Sequence, residues 1–352
     1  MELEFKPPQD APENQFDEAA RTYDALLVVS FGGPEGMEDV IPFLENVLRG
    51  RNIPRARLEV VGEHYHLFGG VSPLNDQNRA LIAALRQELD KHGPNLPIYW
   101  GNRNWKPYLT ETLRQMTDDG VQRALALFTT AYSSYSSCRQ YREDIQRAQA
   151  EIGSTAPIVD KIRAFYNHPG FIEPNIENLG KALEQFPEAR RDQVHIAFTA
   201  HSLPAEMARR CAYEAQILEV CQLVAARLDH LSWKLVYQSR SGPPHQPWLE
   251  PDIIDHLKQL HANGVTDVVI MPVGFISDHM EVMYDLDTDA AQAARDLGIN
   301  MVRAATVGTH PTFIRMIREL ILERMTAHPQ RRALGTRGPS HDFCGLDCCP
   351  PG

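Results

Sequence analysis

Eight short apolar runs, separated by helical stretches, limit the fold of this chain more than any other feature. Near-continuous apolar strands that alternate with helices are typical of parallel sheets covered on both faces. The runs form two successive sets of four. We therefore predict an α/β fold of two similar Rossmann-like lobes, each a four-stranded parallel sheet flanked by helices. The predicted strands lie at 24–33, 98–102, 123–132, 157–165, 195–202, 234–240, 267–275 and 301–308.

The chain of 352 residues divides into four predicted parts. An acidic lead-in, 1–21, is expected to be disordered. The N-terminal lobe is expected at 22–185, and the C-terminal lobe at 186–328 with a closing helix at 310–328. A tail that contains three cysteines follows at 329–352.

Charge and composition argue against several classes of partner. The net charge of −11 and the lack of a Lys/Arg run argue against nucleic-acid binding. No apolar run approaches the roughly 18 residues that span a bilayer, so no integral membrane segment is expected. The stretch MELEFKPPQDAPENQFDEAA lacks the basic and apolar regions of a secretory signal. A cytoplasmic location is expected, and a disulfide framework is not.

The residues after each strand are the first place to look for a site, because ligands of open parallel sheets bind there. These segments contain neither GxGxxG nor GxxxxGK[ST], so no dinucleotide or P-loop nucleotide is predicted. His201 directly follows IAFTA and precedes Ser-Leu-Pro, which would present its ring to the crevice. A buried histidine bonded to backbone groups explains this feature equally well.

A row of carboxylates lies in the segment SDHMEVMYDLDTDA. Glu281, Asp285 and Asp289 share one face of a predicted helix, where like charges repel one another. Such a row suits a cation or proton transfer, and with His201 it suits a transiently bound divalent ion. The structural alternative is a capping box formed by Asp278 and Glu281, with the other two carboxylates on a solvated face.

The ending HDFCGLDCCPPG places Cys344, Cys348 and Cys349 within six residues of each other. A disulfide, a zinc site, an iron–sulfur cluster and a disordered tail are all compatible with this spacing. Cys211 and Cys221 lie ten residues apart in a helical pattern and are expected to be buried free thiols.

Several strand-end blocks resemble the signature sequences of ferrochelatases. FTAHSLP, VYQSRSGPPHQPWLEPD and MPVGFISDHMEVMYDLD are similar to signature blocks of that family. SFGGPE, FGGVSPLN and YSSYSSCRQYREDI are similar to blocks of its N-terminal half. The resemblance covers roughly residues 22–325. It implies the two-lobed class II chelatase fold, insertion of ferrous iron into a porphyrin in haem synthesis, and a downstream haem-pathway enzyme as a partner.

The resemblance also implies roles for individual residues. His201 and Glu281 are expected to form the catalytic pair that contacts Fe²⁺ and accepts pyrrole protons. Asp285 and Asp289 are expected to continue the pair as a path for protons or iron. The implied substrate contacts are Phe31, Arg49, His64, Tyr65, Ser72, Tyr141, Trp248 and Phe275.

Two positions depart from the pattern of some relatives. Phe31 stands where some carry a tyrosine that can reach the metal, and a phenyl ring cannot ligate. Asn104 stands where some carry a second histidine implicated in metal delivery. Neither an axial ligand nor a histidine for delivery is therefore expected at these positions.

The family often carries a [2Fe–2S] cluster, held by one cysteine from the middle of the chain and three from the tail. The resemblance therefore implies Cys138, Cys344, Cys348 and Cys349 as ligands, and four thiolates are the full complement. The C-x3-C-C spacing differs from the wider spacings of the family. Four-thiolate zinc and bare thiols are the competing explanations.

The blocks SFGGPEG, YWGNRNW and YSSC resemble actinobacterial-type enzymes, which use coproporphyrin III. Residues 50–70 are polar where membrane-bound relatives carry a hydrophobic lip, which also favours a more polar substrate. Its four propionates would need extra donors, for which Arg49 and His64 are candidates. Protoporphyrin IX is the alternative substrate. The rival functions are a non-catalytic porphyrin or metal carrier and a chelatase for another metal.

Overall fold

Two four-stranded parallel sheets form the centre of the computed structural model, which describes residues 16–50, 54–243, 245–345 and 347–351. The strand order is β2-β1-β3-β4 in the first sheet and β6-β5-β7-β8 in the second. This repeated order confirms the predicted α/β fold of two similar lobes. The strands are β1 (Ala25–Ser30), β2 (Ile98–Asn102), β3 (Arg123–Phe128), β4 (Ile158–Lys161), β5 (His195–His201), β6 (Trp233–Gln238), β7 (Asp267–Met271) and β8 (Asn300–Arg303).

α-Helices connect the strands and cover the sheets. No helix among the described residues has the length and apolar composition needed to cross a membrane. The helices of the first lobe are α1 (Val40–Val47), α2 (Arg55–His66), α3 (Leu74–His92), α4 (Leu109–Asp118), α5 (Gln140–Ile152) and α6 (Pro169–Leu183). Those that follow are α7 (Ala205–Arg209), α8 (Tyr213–Arg227), α9 (Ile253–Ala262), α10 (Ala291–Asp296) and α11 (Pro311–Met325).

One apolar core lies between the two sheets and belongs to both lobes. Leu26 of β1 and Ile196 of β5 are fully buried in this shared cluster. Their chain neighbours Leu27 and Ala197 are buried in two separate outer clusters. Successive side chains of a strand point to opposite faces, so each sheet is apolar on both faces.

Helix α11 crosses from the second lobe back to the first. It was predicted to close the C-terminal lobe, and it packs on α3 and α6 of the N-terminal lobe. A Cβ atom on Gly170 of α6 would lie 2.5 Å from Cβ of Met316, so the close approach requires glycine. Arg163, beyond β4, donates two hydrogen bonds of 2.8 and 3.0 Å to Glu323 of α11 in the buried interior. The predicted boundary near residue 185 thus separates the two sheets, but helices from both sides of the boundary pack against each other.

The described part of the tail packs on the first lobe and also bonds Glu219 of α8 in the second. The Leu334 amide donates to the carbonyl of Asn167 at 2.8 Å, and the Asn167 side-chain amide donates to the carbonyl of Gly338 at 2.7 Å. Arg331 pairs with the buried carboxylate of Asp342 at 3.0 Å. These contacts order the chain up to the terminal cysteines.

The expected disorder of residues 1–21 is wrong for residues 16–21. Asp17 is buried, and its backbone N–H donates to the Asp342 carboxylate at 3.0 Å. Arg324 of α11 lies 3.3 Å from Asp17 and 3.4 Å from Asp342. The segment is ordered because this buried cation bridges two carboxylates from opposite ends of the chain. The expectation for residues 1–15 lies outside the described residues.

A buried histidine pair lies at the amino end of β5. Nε2 of His195 lies 3.0 Å from Nε2 of His256 on α9, so one ring donates to the other. Burial lowers the pKa of each imidazole from 6.5 to about 4. Protonation would break the shared hydrogen bond and charge a group away from water. The folded protein therefore binds protons here less readily than the unfolded chain does.

We predict that the free energy of unfolding falls as the pH drops from 6.5 towards about 4. The stabilisation is complete above the unfolded pKa, and its loss near pH 5 is on the order of 2 kcal/mol. His256→Gln is expected to remove part of this pH dependence, whereas His261→Gln, at an exposed position of the same helix, keeps it. Urea unfolding at about pH 8 and about pH 5 measures the difference. Equal pH dependence in wild type and H256Q would contradict the assignment.

Candidate active site

His201 ends β5 at the carboxyl edge of the second sheet, with its side chain 30% exposed. Nδ1 donates to the carbonyl oxygen of Ser202 at 2.5 Å. The carbonyl of His201 itself accepts a hydrogen bond of 3.1 Å from the Tyr213 hydroxyl. The contact with Ser202 orients the ring and leaves Nε2 as the atom that faces the neighbouring carboxylate, while the contact with Tyr213 holds the backbone.

Glu281 lies beside His201, with Oε1 at 3.4 Å from Nε2. Its carbonyl accepts a hydrogen bond of 2.9 Å from the side chain of Gln238, the residue that pairs with His201 across β5 and β6. A Cβ atom on Gly274 would lie 2.7 Å from Cα of Ala200, so glycine lets the loop after β7 approach β5. The sheet edge thus brings together two residues that lie eighty positions apart.

The two members of this pair stabilise each other's charge. Burial alone would lower the pKa of His201, but the Glu281 carboxylate outweighs burial and raises that pKa to about 9. Burial alone would raise the pKa of Glu281, but His201 and then His279 lower it. The pair is therefore an imidazolium and a carboxylate at neutral pH.

The carboxylate row continues outward from the pair. Asp285 accepts a hydrogen bond from the hydroxyl of Ser239, and burial raises the pKa of Asp285 to about 7. Asp289 is exposed. Both lie on a π-helical segment, Val282–Ala290, in place of the predicted α-helix. The row therefore runs from a partly buried carboxylate to solvent.

The capping box, which was the structural alternative for this segment, does not form. The carboxylate of Asp278 lies 3.2 Å from Arg303 and accepts a hydrogen bond of 3.0 Å from Thr306, so it is not available to cap a helix. Nδ1 of His279 instead accepts the backbone N–H of Glu281 at 3.1 Å. The His279 side chain therefore bonds the first turn of the helical segment, and the Glu281 carboxylate remains free to face His201.

The first lobe reaches the same cleft through α2. Tyr65 packs edge-on against Phe43, and burial followed by the Glu281 carboxylate raises the pKa of Tyr65. The ring of His64 stacks on Tyr284 of the second lobe, with centroids 3.8 Å apart and planes 7° apart. His64, predicted to donate to a propionate, therefore joins the two lobes across the cleft.

The remaining predicted contacts are divided between surface and interior. Phe31 and Arg49 are exposed, at the end of β1 and beyond α1. The ring of Phe275 meets His279 edge-on, with centroids 4.6 Å apart. Trp248 is half-buried in the loop before α9. The role of these four residues as substrate contacts stays a prediction.

Ser72 and Tyr141, predicted as substrate contacts, lie in the interior of the first lobe, and that role stays a prediction. They are only 4% and 5% exposed. The Ser72 hydroxyl accepts the backbone N–H of Leu74 at 3.4 Å, at the start of α3. The ring of Tyr141 lies beneath the guanidinium of Arg103, at 4.6 Å. Both side chains are occupied within the interior.

The sequence analysis did not predict three residues that lie near the His201–Glu281 pair. His279 lies 3.8 Å from Glu281, while Gln238 and Ser239 position Glu281 and Asp285. Gln238 ends β6 and Ser239 follows it, so the rule that strand ends carry the site could have found both. Ser239 also has a positive φ of 63°, which a sequence does not reveal.

The four cysteines assigned to a cluster converge on the first lobe. Cys138 is buried in the π-helical segment Tyr135–Arg139 before α5 and packs with Cys344. The sulfur of Cys348 lies 3.7 Å from that of Cys349. Nε2 of His341 lies 3.3 Å from the sulfur of Cys344. Three tail thiols and one from the lobe are thus gathered in one place.

Cationic side chains surround these thiols. Arg139 and Arg142 each donate at 3.4 Å to a carbonyl of the tail, and Lys161 donates to the carbonyl of His341 at 3.1 Å. Four thiolates around a metal centre carry net negative charge, which these cations would offset. Thiolates are also the donors that iron–sulfur clusters and zinc prefer. The residues present therefore fit a metal centre.

Residues 23–325 match the sequence profile described as Ferrochelatase. The chain belongs to the ferrochelatase family. A ferrochelatase of Rhodopirellula baltica is 55% identical over 328 residues, which cover 93% of each chain. A coproporphyrin III ferrochelatase of Streptomyces coelicolor is 53% identical over 354 aligned positions, which cover 94% of each chain.

Solved structures agree with the family at the level of fold. SirB of Bacillus subtilis subspecies spizizenii, a sirohydrochlorin chelatase in complex with cobalt, has a TM-score of 0.51 and 10% identity. That likeness covers 86% of this chain and 96% of SirB. SirB of Bacillus subtilis with Fe³⁺ has a TM-score of 0.52 and 11% identity. At such identity the likeness shows the two-lobed chelatase fold alone.

Proposed function

We propose that this ferrochelatase inserts Fe²⁺ into a porphyrin at the His201–Glu281 pair. The observation that carries the proposal is the 3.4 Å contact between His201 Nε2 and Glu281 Oε1 in the cleft. The last residue of β5 and the segment after β7 supply these two groups, at the edge where ligands of such sheets bind. Tyr65 and His64 of the first lobe lie on the opposite side of the same cleft.

The chemistry explains why this pair is suited to the reaction. Metalation replaces two pyrrole N–H protons with one Fe²⁺, so the site must bind the metal and take up protons. A carboxylate oxygen does both, and the imidazole of His201 does both once its own proton has been released. Both groups lie on one side of the cleft, where they can act while the macrocycle is held. Asp285 and the exposed Asp289 extend from Glu281 as a path for protons or Fe²⁺.

We predict that Glu281→Gln lowers the kcat of metalation by about 100-fold or more, because the amide neither accepts a proton nor carries charge. Anaerobic loss of free-base porphyrin measures the rate, and quenching of protein fluorescence checks that porphyrin still binds. Glu206→Gln, at a glutamate bonded to Arg209 and Arg210, is the matched control. A kcat in E281Q equal to that of the wild type would contradict the proposal.

We propose coproporphyrin III as the porphyrin. The Streptomyces coelicolor relative, 53% identical, bears that substrate in its name. The polar composition of residues 50–70 and the exposed guanidinium of Arg49 suit a macrocycle with four carboxylates. Protoporphyrin IX has fewer charged groups for such donors to bind. Delivery of the product to a downstream haem-pathway enzyme and a cytoplasmic location stay predictions.

We predict a higher kcat/KM with Fe²⁺ and coproporphyrin III than with Fe²⁺ and protoporphyrin IX in the same anaerobic assay. Arg49→Gln is expected to raise KM for coproporphyrin III several-fold with little change in kcat, because it removes a propionate donor. Arg114→Gln, at an exposed arginine on α4, is the control. Faster turnover of protoporphyrin IX by the wild type would reverse the substrate assignment.

We propose that Cys138, Cys344, Cys348 and Cys349 hold a [2Fe–2S] cluster. The support is the convergence of four thiols with cationic donors around them. When bound, the cluster would supply a redox-active group that joins the tail to the first lobe. It lies on the first lobe, whereas His201 and Glu281 lie in the second, so no step of metalation is assigned to it.

We predict that the purified wild type is brown and contains acid-labile sulfide, and that Cys138→Ala is colourless with neither iron nor sulfide in the tail site. Visible absorption, iron analysis and sulfide analysis measure this. Cys221→Ala, which removes a buried thiol of α8, is expected to keep the colour. A colourless wild type that contains zinc would replace the cluster with the four-thiolate zinc site.

A further inference from the structure

A histidine to which the proposed function gives no role lies among the cysteine sulfurs. Nε2 of His341 lies 3.3 Å from the sulfur of Cys344 and 3.8 Å from that of Cys348. These three atoms all lie within 4.8 Å of one another. A histidine this close to thiols either binds the same metal centre or donates a hydrogen bond to its sulfurs.

The number of thiols decides between these two roles. Cys344 contacts both Cys138 and Cys348, and Cys348 also lies 3.7 Å from Cys349, so the four sulfurs form one chain of contacts. Four thiolates are the full ligand complement of a [2Fe–2S] cluster, two on each iron. His341 lies beside the two middle sulfurs of this chain, those of Cys344 and Cys348. With the ligand complement already full, its remaining use is to donate an N–H to sulfur.

We infer that His341 donates a hydrogen bond from Nε2 to the cluster thiolates of Cys344 and Cys348 and thereby raises the reduction potential of the cluster. The inference rests on the proposed cluster. Reduction adds negative charge that spreads onto the sulfurs, and a donor to sulfur stabilises that charge. The hydrogen bond of 3.1 Å from Lys161 to the His341 carbonyl holds the residue in place. His341 is therefore a positioning and tuning residue.

The test uses the purified full chain with His341→Phe, which removes the donor but keeps a ring. Iron and sulfide content are measured first, and the reduction potential is then measured by spectroelectrochemical titration. H341F is expected to retain the cluster and to shift its potential to a more negative value. The expected change is about tenfold in the reduced-to-oxidised ratio at fixed applied potential, or about 59 mV for one electron.

Two further variants separate the hydrogen bond from general damage to the tail. His341→Gln keeps an N–H donor near the position of Nε2, and its potential is expected to return most of the way to that of the wild type. His328→Phe changes a histidine whose side chain is 83% exposed, and its potential is expected to match the wild type. Metalation turnover is recorded in parallel, so that failure of the chelatase assignment is seen separately.

Four results would overturn the inference. An intact cluster with unchanged potential in H341F means that no such hydrogen bond acts on it. Loss of the cluster in H341F together with its retention in Cys349→Ala means that His341 is itself a ligand. Strong nitrogen coupling in pulsed EPR of the reduced, ¹⁵N-histidine-labelled wild type means the same, and this measurement does not depend on any variant folding. A wild type without iron and sulfide removes the cluster, and this inference with it.

Discussion

The apolar core shared by the two sheets is the contact on which the rest of the structure depends. It packs one face of each sheet against the other lobe and so fixes where the carboxyl edges of both sheets meet. The Tyr132 hydroxyl, after β3, donates to the carbonyl of Val273, after β7, at 2.8 Å. Because this joint is buried and hydrogen-bonded, side chains from the two lobes keep their spacing across the cleft.

The site is a set of charges that the lobe holds in a fixed arrangement. A carboxylate row of like charge would repel itself, but His201 and His279 offset Glu281, and the Ser239 hydroxyl bonds Asp285. Asp278, which precedes the row in the sequence, pairs with Arg303 instead. Glu281 and Asp285 therefore each have a partner within the second lobe, and the row ends at Asp289, which is exposed to solvent.

Local sequence patterns predicted much of the fold. The differences between the predicted and the observed structure arise from tertiary contacts. Apolar β-branched runs and the strand-end rule were sufficient for the sheets and for the proximity of His201 and Glu281. The packing of α11 on the first lobe could not be predicted from the sequence, because the apolar face of this helix is compatible with either lobe. The interior positions of Ser72 and Tyr141 depend on neighbours far away in sequence, such as Arg103. A motif match identifies which residues are present, but whether a side chain is buried depends on the tertiary contacts around that side chain.

The tail shows how a polar segment is ordered without a core of its own. Its larger apolar residues, Leu334 and Phe343, remain exposed, so little apolar burial offsets an ordering cost of about 1–2 kcal/mol per residue. The base of the tail is held by Arg331 and Arg324, which share the carboxylate of Asp342. Buried ion pairs of this kind fix position more than they add stability. The terminal cysteines could hold a metal centre together with Cys138 only when the tail is docked on the first lobe. The free energy of metal binding would therefore stabilise the docked state of that end. The ion network and the metal centre would thus order different ends of one segment, and loss of the metal would release the cysteines while Asp342 stays in place.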